Sequence, residues 1–191
     1  MTARAAPRER LTVRQEERRR LILAAARQLL RDHGWHAVAI DEIGLASGLT
    51  GPAVYRYFDS KQALLTEAMT HAAGELWSSV PPGPRPDLAG LVDSHVGFVL
   101  ANTDLIQLWY SEARHLPADV RHAQRRLQRR YIQCWVDALL LHRPALDPTL
   151  APAMVRAAIG LTHSVAHADD GRHPAHQHDL LVSMALRALD T

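Results

Sequence analysis

The residues best equipped for chemistry gather late in the chain. Between positions 163 and 179 the run HSVAHADDGRHPAHQHD holds five histidines and three aspartates. His163 and His167 stand four apart, an interval that brings two imidazoles to one helix face and lets them chelate zinc. A metal-responsive protein using residues 163–178 is one reading. No cysteine joins the set and the other histidines lie among proline and glycine, so a solvated, pH-sensitive connector with no metal is the competing one. Covalent or acid–base catalysis has less to stand on. The chain has no glycine-rich phosphate loop and no nucleophile-elbow pattern, and its histidines have no evident acid or base partner. An enzyme acting on a small metabolite ranks behind a binding protein, and neither catalytic residues nor a cofactor are expected.

The remaining chemistry is electrostatic. The net charge is only +2 over 191 residues, but residues 1–35 hold nine arginines against four acids. Through Lys61 the excess is +4, and residues 62–191 sum to −2. A basic head on a mildly acidic body suits local binding of a polyanion. The alternative is a solvated arginine-rich tail without a partner. Residues 1–13 read as a flexible basic arm whose Arg4, Arg8 and Arg10 could enter a DNA minor groove.

The elements that must position these groups are helical. Apolar residues make up 47% of the chain and charged residues 22%, which is globular composition. The single cysteine, Cys134, excludes an intrachain disulfide and suits a reducing compartment. No window approaches the roughly 20 apolar residues of a membrane span, and the N-terminal stretch lacks a signal peptide's apolar run, so a cytoplasmic protein without membrane association is expected. Strand alternation is almost absent. The spacing predicts an all-α chain of nine helices. The first covers 14–33, with Leu21, Ile22, Ala25 and Leu29 on one face and Gly34 as its stop. The second covers 41–47, the third follows a Thr50 cap, and the fourth runs from Lys61 to about Ser79 after Asp59 or Ser60. Beyond PPGPRP (81–86), helices are expected from Asp87 to Leu100, from a Thr103 cap to His115, and from Pro117 to about Arg143. Two more are expected from Asp147-Pro148 to about Ala168 and from Ala175 to Ala188.

The second and third helices meet through Ala46, Ser47, Gly48 and Leu49. A glycine there supplies the positive φ of a tight turn, and Ile43, Leu49 and Val54 would seal a small core, which makes a helix-turn-helix. The second helix of such a unit presents its first turn to base edges in the major groove. The stretch AIDEIGLASGLTGPAVYRYFDSKQALL, residues 39–65, resembles the signature of the TetR family of bacterial transcriptional regulators. The likeness covers residues 15–65 in detail and the rest by helix count. It implies a three-helix DNA-binding head over 14–60 and a ligand-binding, dimerising body over 61–191. It also implies that Tyr55, Tyr57 and Lys61 contact phosphates while Thr50, Gly51, Pro52, Ala53 and Arg56 lie in or beside the groove. Gly51, Pro52 and Ala53 carry no side-chain donors, so apolar fit to thymine methyls is expected of them, and Arg56 is the candidate for a guanine or a phosphate. Ala39 departs from the family, which usually has a backbone-contacting threonine there.

The same resemblance implies a homodimer on a palindromic operator, with half-sites about 34 Å apart, paired through the last two helices. Met154, Ala157, Ala158, Leu161, Val165, Leu180, Leu181, Met184, Leu186 and Leu189 supply apolar surface for that interface or for the interior of one chain. It further implies a repressor released by a small-molecule effector, with the helix from Lys61 to Ser79 carrying the change. Candidate cavity residues are Trp77, Phe98, Trp109, Tyr110, Tyr131 and Trp135 as walls, with Glu112, Arg114, His115 and His163 as polar contacts. TGPAVYRYF together with WYSEARHLP is similar to regulators of fatty-acid or acyl-CoA metabolism. On that likeness Arg125, Arg126, Arg129 and Arg130 would meet nucleotide phosphates, and otherwise they form a solvated face.

Overall fold

The computed structural model describes residues 13–83, 87–167 and 176–191. Residues 1–12 of the basic arm and residues 168–175 of the histidine-rich run lie outside the described residues. The chain forms two compact units, one up to Leu64 and one from Leu65 onward. The boundary falls a few residues past the expected start of the body, inside a continuous helix. The described residues contain no strand.

In the head, α1 (Val13–Ala37) is broken at Gly34, where φ is 79°. Glycine tolerates that value without the Cβ clash other residues suffer. The buried stripe of α1 is Ile22, Ala26 and Leu30, while Leu21 is 48% exposed. The expected face is thus rotated by about one position. The reason is Arg19, three residues before Ile22 on the inward stripe: its guanidinium lies 4.4 Å from the Phe58 ring centroid and donates to the Tyr57 carbonyl. An arginine read as outward-facing turns the helix the wrong way.

Next, α2 (Ile40–Ala46) starts with Glu42 accepting the Ala39 amide at 2.6 Å. It ends at Ser47, whose hydroxyl donates to the Gly44 carbonyl, and at Gly48 with φ 70°. Then α3 (Gly51–Val54) is a single turn, and its backbone bonds continue as turns through Tyr57 and Phe58 onto the Val54 carbonyl. Thr50 stands at the cap position, but its side chain makes no cap hydrogen bond. Gly44 sets the approach of the two helices, since a Cβ there would lie 2.8 Å from the Gly51 nitrogen. Ile43 and Val54 are fully buried and Leu49 half-buried.

The chain leaves the head in α4 (Lys61–Ser78), capped by Ser60, whose Oγ accepts the Ala63 amide at 3.0 Å. In the body, α5 (Leu88–Ala101) is capped by Asp87, which accepts the Gly90 amide at 2.8 Å. Asn102, not Thr103, occupies the cap of α6 (Thr103–Glu112); its carbonyl accepts the Leu105 and Ile106 amides while its side chain closes α5 on the Phe98 carbonyl. A 3-10 turn, Ala113–His115, leads into α7 (Ala118–His142). The eighth helix starts later than its Asp-Pro signal suggests: the Asp147 carboxylate takes the amide and hydroxyl of Thr149 in a local turn, and α8 (Ala151–His163) begins beyond it. A 3-10 turn, Ser164–His167, follows, and α9 (Gln177–Asp190) ends the chain. The body core joins α5, α7, α8 and α9 through Leu91, Val96, Trp135, Leu139, Val155, Ala185 and Leu189.

Candidate DNA-binding face and ligand cavity

In the head, the residues from Thr50 to Tyr57 divide by burial. Thr50, Pro52, Tyr55 and Arg56 are exposed and Tyr57 is half-buried. Gly51 and Ala53, expected at the groove, are turned into the head: Gly51 sits against Asp41 and Ala53 is 9% exposed. The outward set therefore offers one hydroxyl, one proline ring, one phenol and one guanidinium. Lys61, expected at a phosphate, directs its ammonium to the carbonyls of Trp35 and Val38, the latter at 2.6 Å, and lies 4.4 Å from the Trp35 ring centroid. A cation on the last carbonyls of α1 closes that helix end. With Arg19, it ties α1 to the segment after the reading turn.

The body encloses a cavity of about 470 Å³ lined by α4, α5, α6, α7 and α8. Trp77, Phe98, Trp109, Tyr110, Tyr131 and His163 line it, as the sequence suggests. Glu112 and Trp135 do not. Glu112 is buried at the end of α6 with its carboxylate 3.6 Å from His115, and Trp135 is wholly within the core, one turn past Tyr131. Of Arg125, Arg126, Arg129 and Arg130 on α7, Arg129 lines the cavity and Arg130 lies over the Trp77 ring at 5.2 Å. Arg156 of α8 lines it too.

Sequence reading missed Arg156, Gln124 and Gln128 in the lining, and above all His95. It is 1% exposed, and its Nδ1 lies 3.0 Å from the Tyr131 hydroxyl. Its ring centroid is 5.1 Å from that of His163, whose own Nδ1 lies 3.0 Å from the Tyr110 hydroxyl. The signal was present: His95 is the one polar residue on the inward ladder Leu88, Leu91, Val92, Val96 and Val99. Burial, reinforced by the positive charge His163 can carry, holds His95 down at about 3, so the ring is neutral at ordinary pH. Burial likewise pushes the Tyr131 phenol far up and the Tyr110 phenol up. His95, Tyr131 and Tyr110 are thus uncharged, while Arg129 and Arg156 of the lining are both exposed.

Among the described residues no group of three metal-ligating side chains could hold an ion, and His163 is engaged with Tyr110 and His95. Residues 168–175 of the histidine-rich run fall outside those residues. No helix among them is long and apolar enough to cross a membrane. On the last two helices, Ala158, Leu181 and Leu189 point inward and Met154, Leu161, Val165 and Leu186 are half-buried. Ala157, Leu180 and Met184 are exposed, the last two by 58% and 43%.

Residues 22–68 match the family model described as bacterial regulatory proteins, tetR family. A curated relative, the HTH-type transcriptional activator FasR of Mycolicibacterium smegmatis, is 35% identical over 65 residues, which cover 34% of this chain and 30% of that protein. Along most of its length the chain shares its fold with a TetR-family transcriptional regulator from Bordetella parapertussis, at TM-score 0.77 and 23% identity, covering 90% of this chain and 93% of that one. It also resembles AibR, solved in complex with isovaleryl coenzyme A and operator DNA, at TM-score 0.72 and 20% identity, over 87% of this chain and 97% of that one. Residues 22–68 thus carry the helix-turn-helix domain of the tetR family of bacterial regulatory proteins, and the all-α fold of the chain is the one seen in solved TetR-family regulators.

Proposed function

We propose that this protein is a cytoplasmic, dimeric, sequence-specific DNA-binding transcriptional regulator whose grip on a palindromic operator answers to a small ligand in the body cavity. The observation that carries the reading is the helix-turn-helix, closed by Gly44 and Gly48, with Thr50, Pro52, Tyr55 and Arg56 facing outward from it. Arg56 reads a base or grips a phosphate, Pro52 fits a thymine methyl, and Tyr55 and Tyr57 bond to phosphates, with Lys61 adding charge at the start of α4. Two copies pair through α8 and α9, where Leu180 and Met184 are exposed. The effector class we favour is an anionic apolar acyl compound. The cavity's apolar wall and its two arginines support this, as does the isovaleryl coenzyme A bound in the AibR complex. Because α4 both begins in the head and supplies Ala72, Leu76 and Trp77 to the cavity, it is the element through which ligand and DNA would oppose each other.

The test begins with selection of fragments bound by the full chain from its native genome. Anisotropy titrations of the selected duplex follow, with and without isovaleryl coenzyme A and longer acyl compounds. A palindromic site, an Arg56→Ala loss of about tenfold to a hundredfold, and weaker binding with one ligand are expected. No enrichment over random duplex would reject the reading. We read the output as repression; a reporter whose expression falls when the regulator is deleted would assign activation instead.

A further inference from the structure

Besides the amides of Gln124 and Gln128, the polar lining of the cavity holds an exposed charged pair and an inner group around His95. Arg129 and Arg156 are exposed, and among the described residues no carboxylate lines the space. His95 is 1% exposed; its Nδ1 meets the Tyr131 hydroxyl, and its Nε2 is buried with no hydrogen-bond partner among the described residues. A neutral imidazole has one donor and one acceptor nitrogen, and a buried one left unmatched costs its desolvation unless a ligand completes it. A hydroxyl is suited to that position in either tautomer, because it accepts from an N–H or donates to a lone pair. An ionised carboxylate only accepts, and it would bring charge into a wall where burial disfavours it.

We propose that the effector carries, besides an anionic end held by Arg129 and Arg156, an uncharged hydroxyl on its apolar portion that hydrogen-bonds to Nε2 of His95. This rests on the reading of the cavity as the effector site. His95 then selects among ligands of similar length, since a site built to bond a hydroxyl discriminates against the analogue lacking it. Tyr131 acts as a positioning residue by fixing the imidazole through Nδ1.

Calorimetric titration of the full chain with octanoate, decanoate and dodecanoate, each beside its ω-hydroxy counterpart, tests the proposal. At the chain length that reaches His95 the hydroxy acid should bind about tenfold tighter than the plain acid, the worth of one well-made hydrogen bond. The preference should vanish or reverse in His95→Leu, and shrink in Tyr131→Phe, which keeps the ring volume. Arg129→Ala with Arg156→Ala should weaken plain and hydroxy acids alike. Thermal unfolding of each variant reports folding, and Tyr131→Phe keeps the test open should His95→Leu unfold. Equal affinity for plain and hydroxy acids at every length, or a preference that survives in both His95→Leu and Tyr131→Phe, would overturn the hydroxyl assignment and leave the cavity reading standing. Failure of every acid to bind the wild-type chain would overturn the two together.

Discussion

His95 links the inner wall of the cavity to the stability of the whole body. In the native fold it is held at about 3, against an ordinary 6.5. Between those values the unfolded chain takes up a proton that the native fold refuses, so stability is complete above about pH 6.5 and declines as the pH falls toward 3. The full loss is on the order of 5 kcal/mol. The rings around His95 are those of His163, Tyr131 and Trp135, and a positive charge on His163 would deepen the effect. We expect the difference in unfolding free energy between wild type and His95→Leu to shift with pH in the variant's favour across this window, in denaturant titrations. Parallel curves would show that the ring is not held neutral. At this scale the sequence was only partly legible. Arg56 and Tyr55 stand exposed as their types suggest, but Arg19 and Lys61 look like surface charge in the sequence and are instead anchored on Phe58 and Trp35. A long stem with a polar head can serve either place, and residue type alone does not decide which.

At the scale of elements, the first helix of the helix-turn-helix is capped by half a motif. Glu42 returns to the Ala39 amide, but alanine has no oxygen to offer the amides of the first turn. Ala39 is exposed and extended, with φ −97° and ψ 157°, so threonine fits without strain. Ala39→Thr should raise the unfolding free energy by about 1 kcal/mol and tighten operator binding severalfold by adding a hydroxyl donor at the helix start. A thermal melt paired with an anisotropy titration checks both, and an unchanged melt would show that Glu42 already suffices. Helices with strong punctuation were legible in the sequence, such as α5 after Asp87 and α7 between Pro117 and Pro144. The start of α8 was not, because Asp147 and Pro148 serve a turn as readily as a helix and the carboxylate prefers Thr149. His95 was hidden for another reason: a helix with a good apolar ladder hides its one polar rung.

For the whole molecule, the exposed apolar residues of α9 have the largest consequence. Leu180 and Met184, one turn apart, are more exposed than their types favour in a monomer. Leu180→Glu with Met184→Glu should yield a monomer by sedimentation and weaken operator binding about a hundredfold, since the second half-site no longer adds to the first. A dimer that persists would place the interface elsewhere. The net charge of +2 carries no such information, because it averages a basic head with an acidic body. The distribution of the four tryptophans is more useful. Trp35 lies beneath the Lys61 ammonium in the head, Trp77 and Trp109 line the cavity, and Trp135 is sealed in the core. The chain therefore carries its own optical probes, one for the reading head, two for the ligand and one silent reference, and phenylalanine replacements would let fluorescence follow each event without a dye.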